Sequence, residues 1–277
     1  MAGSTGKLRV ALVTGAAQGI GKAIALQLAQ DGLDVALNDL QHNLEKLNAV
    51  ADEIKGISRR SSVHIADISQ EEDVKNMIAQ VVEAHDGGER GDPKSQSHTR
   101  RYCPIQIMLL GHWSTFYGTQ ESVEEWDKTF SVNARGTFLC YKYAAKQMIA
   151  QGEGGRIIGA SSLGGKRGSA HLATYSSTKF AIRGLTQTAS KEFGPYGITV
   201  NAYAPGAIET DMLSYLEDTT AKYVPGVSVR KNMAQASPLG INGEPEDVAG
   251  LVSYLVSEKA RFITGQTINL NGGLLCE

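Results

Sequence analysis

Short apolar runs alternate with amphipathic stretches along most of the chain, and that alternation sets the expected architecture. Residues 8–13 form a compact run rich in β-formers, followed by a glycine-rich stretch over 14–21. Across 23–29 the apolar positions fall at helical spacing, with Ile24, Ala25 and Leu28 on one face. Asp31 and Gly32 stop that helix, and 35–37 reads as a second buried strand. A helix over 44–54, a strand over 62–66 and a helix opening at Ser69 continue the series. Glu71, Glu72 and Asp73 sit in the first turn of that last helix, where the backbone dipole favours acidic residues. Further along, strands are expected at 105–110, 156–160, 199–204 and 267–270, and helices at 126–149, 175–193 and 246–255. Strands and helices joined by short connections predict an α/β fold, a doubly wound, Rossmann-like parallel sheet in a single domain over 1–277.

Two segments break the rhythm. Residues 86–104 are polar, rich in Gly and Pro, and without hydrophobic periodicity. They are too long for an ordinary connection, so an exposed insertion is expected. Residues 210–236 show few strong patterns and are expected to form a mobile flap.

Composition narrows the function classes. With 277 residues and 42% hydrophobic content, the chain can bury a large core. Lys and Arg total 27 against 29 Asp and Glu, so no basic excess points to nucleic acid. Cys103, Cys140 and Cys276 are too scattered for a disulfide framework or a paired metal knuckle. His98, Cys103 and His112 match no standard zinc spacing, and no metal is expected. No apolar run approaches the roughly 18–20 residues that cross a bilayer, and residues 1–9 lack a signal-peptide core. A cytoplasmic protein without membrane association is the expectation.

The chemistry begins at the glycine-rich turn. Gly15, Gly19 and Gly21, with Gln18 and Ile20 between them, lie between a buried strand and an amphipathic helix. Glycines let the backbone approach a pyrophosphate, and the helix start offers N–H groups and partial positive charge. Asp39 follows the second strand, where a carboxylate can accept both hydroxyls of an adenosine ribose. It would repel a 2′-phosphate, so NAD is expected rather than NADP. Asp67, after the third strand, reads equally as an adenine contact or as a helix-entry residue.

Tyr175 and Lys179 stand one helical turn apart, on one face. A free tyrosine titrates near pH 10, and a neighbouring ammonium is expected to bring it toward the useful range. Ser162 lies just past the strand at 156–160, at the carboxyl edge where ligands bind in such sheets. Its hydroxyl is placed to hold a carbonyl while Tyr175 donates the proton.

Together these residues resemble the short-chain dehydrogenase/reductase family. The matching motifs are TGAAQGIG at 14–21, Asp39, Asp67, Asn133 in VNARG, Ser162, YSSTK at 175–179 and PGAIET at 205–210. The resemblance implies a seven-stranded sheet, pro-S hydride transfer, Tyr175 as acid/base and Ser162 as the carbonyl holder. It implies that Lys179 binds the nicotinamide ribose and that Asn133 holds a water of a proton relay. Ile68 would join Asp67 on the adenosine side, and Pro205, Gly206, Ile208 and Thr210 would grip the nicotinamide. The run from Tyr175 to Met212 is similar to diacetyl/acetoin reductases, which implies a small ketone or hydroxyketone substrate. Reductases of sugars, polyols or 3-oxoacyl thioesters share much of this wording. A homotetramer built on the helices at 126–149 and 175–193 is also implied.

One motif departs from the family. Where Asn-Asn-Ala-Gly is usual after the fourth strand, this chain reads Met108-Leu109-Leu110-Gly111, beside the polar insertion. A diverged loop and an artefact of the gene model both account for it. Trp113, Phe116 and Tyr117 nearby either line the substrate mouth or pack on the insertion. The departure also motivates a competing expectation, a catalytically impaired homologue that acts by binding or assembly.

Overall fold

The computed structural model describes residues 10–85 and 121–277, apart from Pro225 and the side chain of Tyr223. The expected strand at 105–110, the insertion at 86–104 and the 108–111 motif lie outside the described residues. So do His98, Cys103, His112, Trp113, Phe116 and Tyr117.

Three parallel strands open the fold: β1 (Val10–Thr14), β2 (Asp34–Asp39) and β3 (Ser61–Ile65), paired in the order β1-β2-β3. Val10 stands opposite Asp34, and Val35 opposite Ser61. A second parallel set comprises β4 (Gly155–Ala160), β5 (Ile198–Pro205) and β6 (Thr267–Leu270), in the order β4-β5-β6. Every residue of β1, β4 and β5 is buried, which is why these strands read as continuous apolar runs rather than alternating ones.

Helices cover both faces. On one side α1 (Gly19–Gln30), α2 (Leu44–Gly56) and α9 (Pro245–Val256) bury Ile24, Leu28, Leu47, Ile54 and Val252 against Ala11, Val13, Ile158 and Ala160. On the other, α3 (Glu71–His85), α5 (Gly136–Gln151) and α6 (Ala173–Phe193) bury Met77, Leu139 and Ala189 against Leu12, Ala36, Ile157 and Val200. Each cluster draws on both sets of strands, so the two sets share one doubly wound core. Burying each large apolar side chain stabilises the fold by roughly 1.5–3 kcal/mol.

The helix foreseen over 126–149 is present as one unbroken helical run, in which α4 (Val123–Phe130) passes through a π-helical turn at Ser131–Arg135 into α5. The Thr137 hydroxyl donates to the Asn133 carbonyl at 2.5 Å, and the Ser131 hydroxyl to the Lys128 carbonyl at 2.7 Å. Such bonds from side chain back to main chain compete with the regular ladder and widen the turn. The stretch 210–236, where the sequence shows few strong patterns, contains α7 (Asp211–Tyr223) and α8 (Val229–Ala236). Ser228 caps α8 by accepting from the Lys231 N–H. Glu209 forms an ion pair with Arg230 and accepts from the Asn242 amide, tying α8 to the segment before α7.

Away from the cleft, His64 on β3 and His85 at the end of α3 both point Nε2 at the Ser62 hydroxyl, at 2.7 and 2.8 Å. The His64 Nδ1 faces the Gln80 amide oxygen, so it carries the ring proton and Nε2 accepts from Ser62. His85 must then donate from Nε2, leaving its buried Nδ1 without a hydrogen-bond partner among the described residues. Burial, reinforced by Arg60 and only partly offset by Asp34, pushes His85 down to about 4; burial also lowers His64. A histidine whose protonated form is disfavoured in the fold costs stability as pH falls from about 6.5 toward 4. His85→Gln should therefore lose less stability than wild type between pH 7 and pH 5. The difference should be on the order of 1–2 kcal/mol in urea unfolding. Equal losses in the two proteins would show that His85 is not the group being titrated.

Candidate active site

The turn between β1 and α1 is built by close backbone approach. Gly15 and Gly19 adopt φ of 62° and 53°, in the left-handed region that favours glycine. A Cβ on Gly21 would lie 2.0 Å from the Gly15 carbonyl oxygen. No side chain caps the start of α1, and its first turn carries no acidic residue, so its N–H groups and dipole remain suited to an anion. Gln18 accepts from the Lys46 ammonium of α2 at 2.6 Å.

Asp39 closes β2 beside this turn. Its carboxylate accepts from the Ala17 and Leu40 N–H groups at 3.1 and 2.8 Å and from the Asn43 amide at 2.9 Å. These bonds hold the carboxylate against the glycine turn, where the ribose of a dinucleotide is expected. Asp67 accepts from the Ser69 N–H at 2.9 Å, and its own N–H donates to Asp73. The helix-entry role weighed for it is therefore present in the structure. Ile68 packs against Gly136 at the start of α5.

Across the sheet edge, Ser162 follows β4 and accepts from the Gly164 N–H at 3.1 Å, which fixes its hydroxyl at the head of a short 3-10 turn. Gly165 makes that turn possible: a Cβ there would meet the Lys179 carbonyl at 2.6 Å. Tyr175 lies within hydrogen-bonding reach of Ser162, and Lys179 sits below it with its ammonium 5.5 Å from the tyrosine ring centre. The Lys179 ammonium donates to the Ala160 carbonyl at 2.9 Å and is almost wholly buried. The Asn133 amide, fully buried in the π-helical turn, donates to the Thr178 hydroxyl at 3.1 Å, which donates to the Tyr175 carbonyl at 2.7 Å.

Burial pushes the Tyr175 phenol up to about 12, with Ser162 pulling weakly the other way, and brings Lys179 down to about 8. The expected lowering of Tyr175 by its lysine does not appear: burial sets the direction, and Ser162 is the group that opposes it. The phenol is thus a protonated donor at neutral pH.

Ser162, Tyr175 and Lys179 face a cleft of about 140 Å³, bordered by Ile20 of the glycine turn and by Pro205, Gly206, Ile208 and Thr210. Thr210 meets Gly19 directly, its methyl 3.4 Å from where a Cβ would stand. Ile208 bridges to Gly243, holding this segment to the start of α9. A path thus runs from Asp39 over the glycine turn to Ser162 and Tyr175, the arrangement a dinucleotide with a reactive end would fit. The sequence reading missed Thr178, Lys46 and the ion pairs of Glu277 with Lys166 (2.7 Å) and Arg183 (3.7 Å), which link the segment after Ser162 to α6. Thr178 was visible inside the 175–179 motif. Glu277 carried no local signal, because it meets its partners only through the fold.

The family pattern described as short chain dehydrogenase matches residues 9–88, and that described as Enoyl-(Acyl carrier protein) reductase matches 114–275. This chain belongs to the short-chain dehydrogenase/reductase family. The first match ends just inside the polar stretch at 86–104, and the second begins beyond it. A short-chain dehydrogenase/reductase of Armillaria gallica is 48% identical over 96% of this chain and 96% of its own length. A 3-oxoacyl-[acyl-carrier-protein] reductase of Staphylococcus epidermidis is 36% identical over 95% of this chain and 98% of its own. Among solved structures, an acetoin dehydrogenase of Salmonella typhimurium superposes with a TM-score of 0.78 at 28% identity, over 96% of this chain and 97% of that one. The short-chain dehydrogenase/reductase is accordingly an oxidoreductase of a family that uses NAD(P). Among the described residues no helix is long and apolar enough to cross a membrane, and no group of three or more His, Cys, Asp or Glu side chains is gathered as for a metal.

Proposed function

We propose that this protein is an NAD(H)-dependent reductase of a small ketone or hydroxyketone of the diacetyl/acetoin type, or the dehydrogenase of the matching secondary alcohol. The convergence of Ser162, Tyr175 and Lys179 at one cleft, opposite Pro205, Gly206, Ile208 and Thr210, carries the reading. The nicotinamide dinucleotide supplies or accepts the hydride when bound. Ser162 holds the substrate oxygen, its own hydroxyl oriented by the Gly164 N–H. Tyr175 donates the proton to that oxygen, which its raised pKa keeps available at neutral pH. Lys179, anchored on Ala160, supports the developing phenolate and holds the nicotinamide ribose. Asn133 acts through Thr178, steadying the first turns of α6 and placing the water of a relay. On the other side, Gly15, Gln18, Gly19, Ile20 and Gly21 cradle the pyrophosphate, with Asp39 on the ribose and Asp67 and Ile68 at the adenosine.

Purified protein mixed with NADH and diacetyl should consume NADH; no turnover across a panel of small ketones, together with no NADH binding, would favour a non-catalytic homologue instead. Identity to the staphylococcal reductase supports 3-oxoacyl thioesters as a second substrate class. Asp39→Ala should weaken NADH binding by about tenfold, through loss of charge-assisted hydrogen bonds, and improve the relative use of NADPH. An unchanged ratio of kcat/KM for the two cofactors would remove Asp39 from the ribose site. Exposed Trp126, Phe138 and Phe180 on α4, α5 and α6 support assembly as a homotetramer, which light scattering on the eluted protein would test.

A further inference from the structure

The substrate side of the cleft differs in character from its catalytic floor. Met212 and Leu216 on α7, Met233 on α8, and Leu163 and Leu172 beside Ser162 form its walls. Among the described residues lining it, Lys179 is the one charged side chain, and its ammonium is buried and engaged by Ala160. Against these described walls a carboxylate or phosphate would leave water without a cation of its own, and a polyhydroxylated chain would leave hydroxyls unpaired against leucine and methionine.

The wall is both held and yielding. The Glu209–Arg230 ion pair and the Asn242 bridge tie α8 to the 205–210 segment, and the Arg230 N–H donates to Glu217 of α7 at 2.8 Å. The two methionines on it are unbranched and can refit around different alkyl shapes. Resting on the reading of this cleft as a carbonyl-reducing site, we infer that Met212, Leu216 and Met233 select uncharged ketones by the apolar surface they lay against this wall, and disfavour anionic and polyhydroxylated ones.

The test is kcat/KM of the wild-type protein with NADH for 2,3-butanedione, 2,3-pentanedione and 2,3-hexanedione, beside acetoacetate and dihydroxyacetone. Each added methylene buried against the wall should raise kcat/KM roughly fourfold, so about 15-fold from the first diketone to the third. Acetoacetate and dihydroxyacetone should fall at least about 100-fold below the hexanedione. Leu216→Asn should flatten the rise along the series. A flat or falling series with diacetyl well used, or acetoacetate used as well as the hexanedione, overturns the inference and leaves the reductase reading standing. Failure of every ketone to be turned over, with NADH bound, takes down the reductase reading and this inference with it.

Discussion

Replacing Tyr175 with phenylalanine is expected to lower kcat for ketone reduction by roughly 10²–10⁴-fold, the usual worth of a positioned general acid. The affinity for NADH should change by less than about threefold, because the ring and its packing survive the substitution and only the hydroxyl is lost. The phenol is buried, meets Ser162, and is held as a protonated donor by a pKa near 12. The same value sets a pH asymmetry. Reduction needs the protonated phenol and should hold steady through neutral pH. Alcohol oxidation needs the phenolate as acceptor, so its kcat should climb as pH rises above neutrality. Steady-state rates in both directions, with NADH binding followed by fluorescence, check this. Activity within tenfold of wild type would remove Tyr175 from the proton-donor role, and loss of NADH binding would make its role structural.

The second large effect is expected at Gly21. Alanine there would place its Cβ 2.0 Å from the Gly15 carbonyl oxygen and 2.7 Å from its carbon, both backbone atoms that cannot rotate aside. Helix α1 cannot retreat, since Ile24 and Leu28 are fully buried against the sheet and α9. The strain must therefore open the turn itself. Gly21→Ala should destabilise the fold by about 1–3 kcal/mol or more and weaken NADH binding at least about tenfold through misaligned N–H groups. Thermal unfolding and NADH titration read the two effects separately. NADH affinity within threefold of wild type would mean that the cofactor does not rest on this turn.

Much of the fold was legible because its signals are local. Residues 8–13 read as a buried strand, which the structure places at Val10–Thr14, because a parallel strand covered on both faces is largely apolar. The helix at 44–54 and the acidic first turn at Glu71 and Glu72 follow from spacing and dipole alone. The π-helical turn around Asn133 was not legible. The Thr137 and Ser131 hydroxyls donate to main-chain carbonyls there, and many helices carry such residues without widening. The helices α7 and α8 were missed because their polar faces dilute the apolar period. What holds α8 is an ion pair of Arg230 with Glu209, itself bridged by Asn242, and the Arg230 N–H joins it to Glu217 of α7.

The amino-acid order alone determined the alternation of strand and helix, the glycine turn and the one-turn spacing of Tyr175 and Lys179, since each depends on neighbours within a few residues. Only the tertiary structure decided the protonation of Tyr175, the neutral histidine pair around Ser62 and the apolar wall of the cleft. Those properties depend on desolvation and on contacts between distant segments, and neither exists until the chain is folded.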